Sequence, residues 1–290
     1  MAALSALPRA FSSVPKVLRS SNAVPALVAR PAAVPFRQRQ LSVRAQASPA
    51  EVAAFTNEQK GAKDSFDYRV FFKQGSKTVS PWHEIPLFTG DGDNLHYICE
   101  IPKETSAKME VATGEECNPI KQDEKKGKLR FYPYNINWNY GLLPQTWEDP
   151  GSKDTQLDAA GDNDPVDVVE IGSGVHRQGG VYKVKPLGIY AMIDDGELDW
   201  KVIAISLDDP KAEMVNDVAD VEKHFPGELE KVMVWFRDYK IPDGKPANKY
   251  GFDNKCMDRA FANKVIQETH EAYVALKSGK RSNTEELSLI

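Results

Sequence analysis

The chain has 290 residues, of which 41% are hydrophobic and 27% are charged, and its net charge is −5. This length is ample for one domain with a sizeable core. No apolar run approaches the ~18–20 residues that a membrane-spanning helix needs, so we expect no membrane partner.

The first fifty residues differ in composition from the rest. They contain six Arg, one Lys and no Asp or Glu, and they are rich in Ala, Ser and Pro. This composition is typical of an organellar transit peptide, since a secretory signal would show a compact apolar segment. We predict a transit peptide over residues 1–47, cleaved near residues 43–47, that directs the protein to the chloroplast stroma. The mitochondrion and an untargeted basic arm are the alternatives.

Without this leader the chain is strongly acidic. Removing the seven basic residues leaves 30 basic against 42 acidic residues, a net charge of −12. Such a surface argues against nucleic acid as a partner, because nucleic-acid binders usually present a basic face. An anionic substrate would therefore need a local basic cluster or a metal ion.

The cysteines and histidines do not form a recognisable metal or disulfide pattern. Cys99, Cys117 and Cys256 are far apart in the sequence, and the five histidines show no paired spacing. We expect reduced, mostly structural thiols and no zinc site.

The rest of the chain divides by its hydrophobic pattern. We predict a polar linker over residues 48–65, a folded domain over 66–279 and a polar C-terminal tail over 280–290. Short β-rich runs occupy residues 66–72, 94–101, 107–112, 128–132, 166–171, 181–193 and 200–207. Helical patterns follow at residues 217–225, 226–240 and 258–279. Strands first and helices last favour an α+β fold that is mainly β.

The stretch "GDNDPVDVVEI", residues 161–171, carries three aspartates in six positions: Asp162, Asp164 and Asp167. Like charges this close disfavour one another's ionisation. An EF-hand is excluded, because the required glycine and the final acidic ligand are missing. We interpret the motif as a ligand set for hard divalent cations, of which Mg²⁺ fits best because it accepts few protein oxygens and several waters.

Further acids and bases complete a candidate metal–phosphate site. A hairpin sequence, "MIDDGELDWKVIAI", places Asp194 and Asp199 around a tight turn, and Glu100 and Glu110 lie in β-rich runs. Basic residues are interspersed in such runs and not concentrated in one block: Lys108, Lys128, Arg130, Lys201 and Lys240. Cations would neutralise the carboxylates, and cations and basic side chains together would receive an anion.

Six motifs in order resemble the soluble family I inorganic pyrophosphatases, most of all the eukaryotic type. They are "EIPKETSAKMEV", "KKGKLRF", "NYGLLPQTWEDP", "GDNDPVDV", "MIDDGELDWKVIAI" and "FRDYKIPDGKP". The leader, with "YPYNINWNYGLLPQ", resembles the plastid branch. The resemblance implies a five-stranded, antiparallel, OB-like β-barrel with flanking helices that hydrolyses diphosphate with several Mg²⁺ ions. It leaves open whether the protein is a monomer or a homodimer.

The resemblance also implies roles for individual residues. Asp162, Asp167 and Asp199 would bind the tightest metal ion, and Asp164 would act as the catalytic base on the attacking water. The ions that arrive with substrate would be held by Asp194 and Glu110, with Glu100 nearby. One phosphate would be bound by Arg130, Tyr239 and Lys240. The other would be bound by Lys108 and Tyr140, with Lys201 close by.

One position departs from the family pattern. The family commonly has a tyrosine four residues before Tyr140, and this chain has Ile136 there. Tyr132 or Tyr134 are the candidates to replace it in space. We therefore expect a water or a lysine to protonate the leaving group.

Two other functional classes fit part of the pattern. A non-catalytic divalent-metal domain would explain the acids but not the basic residues and tyrosines. An OB-type nucleic-acid binder would explain the barrel and the aromatic residues, but it would need a basic groove that the acidic chain does not predict.

Overall fold

The computed structural model describes residues 55–290, so the predicted transit peptide lies outside the described residues. Two larger β-sheets and two small ones make up most of this part of the chain, and helices are few. The α+β, mainly β prediction is confirmed. Within these residues, no helix combines the length and the apolar character needed to cross a membrane.

The first sheet has five strands, and its pairings are antiparallel. Its members are β1 (Phe55–Lys60), β2 (Arg69–Gln74), β3 (Lys77–Val79), β5 (Met109–Val111) and β6 (Ile120–Gln122). The strand β1 lies inside the segment predicted as a linker and pairs with β2 along its whole length. The burial pattern of β2 alternates, and Val70 and Phe72 face the core, as a half-buried strand requires.

The second sheet has seven strands and a mixed direction. Its members are β4 (Leu95–Ile101), β9 (Asn139–Leu142), β12 (Asp167–Glu170), β13 (Val181–Asp194), β14 (Glu197–Ser206), β15 (Lys249–Tyr250) and β16 (Met257–Asp258). Successive pairings connect β13, β14, β12, β9 and β4, and β4 pairs again with β13.

The expectation that all these pairings are antiparallel is wrong at one position. Strand β12 runs parallel to β14, with Asp167 opposite Lys201. A parallel pair needs a long crossover connection, and β13 itself, which returns to β14 through a hairpin, supplies it. This register places an acidic and a basic site residue side by side.

Two further pairs of short strands lie in the connections. They are β7 (Glu124–Lys125) with β8 (Lys128–Leu129), and β10 (Lys153–Asp154) with β11 (Ala159–Ala160). The run predicted at residues 128–132 is thus a much shorter strand.

Within residues 55–290, four α-helices lie beside the sheets: α1 (Pro81–Glu84), α2 (Val218–His224), α3 (Glu228–Asp238) and α4 (Arg259–Lys277). Short 3₁₀ turns occupy Ala212–Met214, Ile241–Asp243 and Phe252–Asn254. The three predicted helices correspond to α2, α3 and α4. The Asp258 side chain caps the first turn of α4 by accepting from the Phe261 N–H, and Gly279, at φ +73°, follows its last turn.

Buried residues from both sheets and from α3 form the largest part of the core, including Val70, Ile101, Tyr140, Ile203 and Phe236. A second group packs α4 against the other face of the larger sheet. The inward face of α3 therefore fixes the position of the residues that follow it, Tyr239 and Lys240.

Candidate active site

A cleft of about 350 Å³ opens where strands of both sheets and the end of α3 meet. Lys128, one of the basic candidates from the sequence, does not line this cleft. The residues to which the family resemblance assigns a role all line it: Glu100, Lys108, Glu110, Arg130, Tyr140, Asp162, Asp164, Asp167, Asp194, Asp199, Lys201, Tyr239 and Lys240. They come from segments more than a hundred residues apart, so the tertiary fold gathers them.

The aspartate motif forms a tight loop followed by a strand. The Asp164 N–H donates to the Asp162 carboxylate at 3.0 Å, a turn that the short aspartate side chain favours. Pro165 then ends the loop, and Asp167 is the first residue of β12. The loop thus carries two carboxylates at the mouth of the strand that carries the third.

Lys201 lies at the centre of the cleft floor and is almost fully buried. Its ammonium group donates to the carboxylates of Asp167 and Asp199 and, at 3.0 Å, to the Tyr140 hydroxyl oxygen. The Tyr140 hydroxyl in turn donates to Asp167. This arrangement keeps a buried cation paired, as burial requires.

The wall formed by β5 and the segment before β9 carries a second charged group. Lys108 donates to Glu110 at 2.8 Å and to Asp123 at 3.0 Å, and Arg130 also donates to Asp123. Backbone bonds fix both basic residues, because the Lys108 N–H donates to the Arg130 carbonyl at 3.1 Å. Two cations on one wall form a natural site for an anion.

The end of α3 supplies the opposite wall. Lys240 donates to Asp194, at the end of β13, and the Tyr239 hydroxyl lies 3.5 Å from the same carboxylate. The cleft therefore has basic residues on two sides and carboxylates at its base.

A group of three carboxylates could hold a metal ion where the cleft and a neighbouring pocket meet the same chain segments: Asp162 and Asp199 line the cleft, and Glu148 lines the neighbouring pocket. Glu148, Asp162 and Asp199 each offer one oxygen, and these oxygens lie within 4.8 Å of one another. The group contains Glu148 in the place for which the sequence suggests Asp167, whose carboxylate is engaged by Lys201 and Tyr140. Since all donors are oxygens, the set fits a hard divalent cation.

The surroundings of the loop aspartates disfavour their negative charge. Burial, and then repulsion from Asp164 and Asp167, raises the pKa of Asp162 to about 7. Enclosure by the cleft walls, and then repulsion from Glu110 and Asp167, raises the pKa of Asp164 to about 7, although its side chain remains open to water in the cleft. Burial also raises the pKa of Glu148 and of Asp199. A nearby cation would relieve this repulsion.

The structure adds cleft or cluster residues that the sequence did not single out. Glu148 follows a buried tryptophan, and Asp123 follows β6. Glu148 lies within the motif "NYGLLPQTWEDP", which is the sequence signal that could have found it, whereas Asp123 lies outside the six motifs. The contacts with other chain segments bring both of them to the site.

The structure also distinguishes the two tyrosines near the Ile136 departure. Ile136 is fully buried in the core, and Tyr132 lines the cleft. Tyr134 is 43% exposed and lies against Trp235. Of the two candidates, Tyr132 has the position to face a ligand.

Comparison with known proteins shows to which family the chain is related. The family model described as inorganic pyrophosphatase matches residues 97–274. The chain is 72% identical over 262 residues to the soluble inorganic pyrophosphatase 1, chloroplastic, of Chlamydomonas reinhardtii, covering 89% of this chain and 92% of that protein. It is 59% identical over 248 residues to the soluble inorganic pyrophosphatase 6, chloroplastic, of Arabidopsis thaliana, covering 83% and 82%.

A solved structure matches as well. The N-terminally truncated vacuolar soluble pyrophosphatase of Trypanosoma cruzi, crystallised in complex with PPi, superposes with a TM-score of 0.75 at 40% identity, covering 90% of this chain and 100% of that one. The two chloroplastic relatives confirm the chloroplast prediction. The resemblance seen in the sequence motifs is confirmed.

Proposed function

Because the chain belongs to the inorganic pyrophosphatase family, we propose that it hydrolyses inorganic diphosphate to two orthophosphates with the help of Mg²⁺, and so drives diphosphate-releasing biosynthesis in the chloroplast. The observation that carries the proposal is the cleft, which brings crowded carboxylates and two basic walls within reach of one small anion. This arrangement is what a metal-assisted phosphoryl transfer requires.

The carboxylates of Glu148, Asp162 and Asp199 would hold a divalent cation, and the further acids that line the cleft would serve further ions: Asp167, Asp194, Glu110 and Glu100. Bound cations would supply charge neutralisation and make a water molecule more acidic. Every other role falls to side chains of this chain.

Asp164 is proposed as the group that orients the attacking water and accepts its proton. Its carboxylate receives no hydrogen bond from the described residues and is open to the cleft, so it is free to accept one. Burial and neighbouring carboxylates raise its pKa to about 7, and bound cations would lower it again, so the carboxylate would be ionised and able to accept a proton.

Residues from both basic walls would together bind the two phosphate groups of the substrate. Arg130, Tyr239 and Lys240 would bind one phosphate group, and Lys108 and Tyr140 the other. Each of these cations is paired with a carboxylate: Lys108 and Arg130 with Asp123, and Lys240 with Asp194. Diphosphate would compete for these partners, and its negative charge would be neutralised as the bond to the leaving group lengthens. We assign the leaving-group proton to a water or to Lys201, with Tyr132 as a positioned neighbour.

The proposal also covers the barrel and the division of the chain into a transit peptide and a catalytic domain. The cycle of pairings through β4, β9, β12, β14 and β13 supports a five-stranded OB-like barrel with one parallel pair. Residues 1–47 are proposed as the transit peptide and residues 66–279 as the catalytic domain, preceded by β1. The mass of the chloroplast-imported protein would locate the cleavage site near residues 43–47.

The test is orthophosphate release from diphosphate by the full chain, titrated with Mg²⁺ and repeated in EDTA. We expect rapid release that depends on Mg²⁺ and stops in EDTA. A folded protein that binds Mg²⁺ and releases no phosphate would contradict the proposal and favour a metal-binding scaffold. Release that continues in EDTA would contradict the metal requirement alone.

A further inference from the structure

The C-terminal residues 281–290, here called the C-terminal strap, cross the protein surface far in sequence from the cleft. Leu287 is buried among Trp82, Trp147, Tyr273 and Leu276. The Ser288 N–H donates to the Thr113 carbonyl at 2.8 Å, and the last carbonyl, of Ile290, accepts from the Cys117 N–H at 2.8 Å. The last four residues of a segment expected to be a polar tail are therefore anchored to the folded domain.

Arg281, the first residue of the strap, holds both neighbours of Glu148. Its guanidinium group contacts the Asp149 carboxylate with Nη2 at 3.0 Å and with Nε at 3.2 Å. The same group lies over the Trp147 ring, 5.2 Å from its centre. Glu285 accepts from Arg281 at 2.7 Å and keeps the guanidinium in this position. A planar, forked cation makes all three contacts at once, which an ammonium group could not.

The backbone of Glu148 is hydrogen-bonded to the acidic loop. Its N–H donates to the Asp164 carbonyl at 2.9 Å, and its carbonyl accepts from the Asn163 N–H at 3.0 Å. The Trp147 indole N–H donates to the Asn163 side chain at 3.0 Å. Gly161 approaches so closely that a Cβ there would lie 2.4 Å from the Glu148 carbonyl oxygen. Any shift of residues 147–149 would therefore move the loop.

We propose that the C-terminal strap, through Arg281, positions Glu148 and the loop of Asp162 and Asp164 for divalent-cation binding. Arg281 is a positioning residue and touches neither substrate nor cation. The inference rests on the proposed function, because it assigns the carboxylate group of Glu148, Asp162 and Asp199 to a cation. It makes cation affinity depend on residues at the far end of the chain.

The test measures Mn²⁺ binding by the full chain, from the electron paramagnetic resonance signal of free Mn²⁺. We expect Arg281→Gln to raise the dissociation constant of the tightest Mn²⁺ site about tenfold, since loss of a group that orients a metal ligand typically weakens affinity by 10–100-fold. Arg281→Lys should recover only part of the loss. Lys280→Gln is the matched control, because Lys280 is the exposed neighbouring cation, and its affinity should stay within twofold of wild type.

A second variant separates positioning from simple stabilisation. Asp149→Asn removes the partner of Arg281 but leaves Glu285 and Trp147 to hold it, so this variant should fold and should also lose Mn²⁺ affinity. The double variant should be no weaker than either single one, because both break the same contact. Urea unfolding in EDTA reports the stability of each variant independently.

An Mn²⁺ affinity within twofold of wild type in folded Arg281→Gln or Asp149→Asn would overturn the inference. An equal loss in Lys280→Gln would also overturn it, because the effect would then be one of general charge. A wild-type chain that binds no Mn²⁺ would contradict both proposals. A wild-type chain that binds Mn²⁺ but leaves diphosphate intact would contradict only the proposed function.

Discussion

The two ends of strand β12 place carboxylates in opposite surroundings. At its first residue, Asp167 lines the cleft with Asp162, Asp164 and Asp199, and Lys201 pairs with Asp167 and Asp199. At its last residue, Glu170 is completely buried, and its carboxylate accepts from Gly172 N–H at 2.8 Å, Ser206 N–H at 2.9 Å and the Asn139 amide at 2.8 Å.

The difference shows how a structural carboxylate is distinguished from a functional one. Hydrogen bonds from backbone and amide groups compensate the desolvation of Glu170, so the folded protein already stabilises its charge. Beside the other end, burial and repulsion from neighbouring carboxylates raise the pKa values of Asp162 and Asp164 to about 7. Titratable groups perturbed in this way are typical of functional sites.

The variant Asp164→Asn gives the strongest test of the contrast between the two ends of β12. Removing the proposed base should lower the rate of orthophosphate release about 10³-fold, the middle of the range for loss of a general base. The metal-free protein should stay folded with an unchanged or higher thermal midpoint in EDTA, because one repelling charge is gone. The exposed Asp158→Asn serves as the matched control.

Near-normal activity of Asp164→Asn would remove this residue from the mechanism. A large loss of stability in EDTA would mean that its carboxylate is compensated in the way that of Glu170 is, and the contrast between the two ends would fail.

The second prediction extends the comparison to a buried base. The His83 Nε2–H donates to the Ser288 carbonyl at 3.0 Å, so the neutral ring accepts from the Tyr273 hydroxyl at Nδ1, also at 3.0 Å. Burial lowers the pKa of His83 from 6.5 to about 4. The unfolded chain thus binds this proton more readily, and the stabilising contribution, complete above pH 6.5, is lost as the pH falls towards 4. We expect a loss of about 3 kcal/mol in the free energy of unfolding.

Urea unfolding at pH 7 and pH 4.5 measures this loss in wild type and in His83→Gln, whose amide can keep both hydrogen bonds without titrating. The difference between the two proteins isolates His83 from the carboxylates that titrate in the same range. Equal pH dependence in the two proteins would show that His83 is not held neutral.

The third and smallest effect is that of Glu170→Gln, the mirror image of the first. The Gln amide group leaves N–H donors of Gly172 and Ser206 or of Asn139 without an acceptor, so unfolding should become easier by about 2 kcal/mol. The activity of the folded variant with saturating Mg²⁺ should stay within a few-fold of wild type. Urea unfolding and orthophosphate release measure both quantities.

An unchanged stability of Glu170→Gln would mean that the three hydrogen bonds do not distinguish this end of β12. A loss of activity as large as that of Asp164→Asn would assign Glu170 to the site as well.

Several parts of the fold followed from local patterns. The alternating run at residues 66–72 and the apolar stripe of α3 predicted elements that the structure contains. The strands β1 and β9 did not follow, because Phe55–Lys60 is polar and Asn139–Leu142 is short, and each is a strand only through its pairing with neighbours. The parallel pairing of β12 with β14 joins residues that are far apart in the sequence, and no local pattern predicts it.

The sequence by itself determined the chemistry of this protein. The aspartate motif, the hairpin acids and the interspersed basic residues are local features, and hydrophobic periodicity placed them in or beside strands. Only the tertiary structure decided which charged side chains come together. It brought Glu148 to Asp162 and Asp199, engaged Asp167 with Lys201, and tied Arg281 to the neighbours of Glu148. The physical reason is that the repulsion and pairing of charges depend on distance in space, which chain packing sets and sequence separation does not.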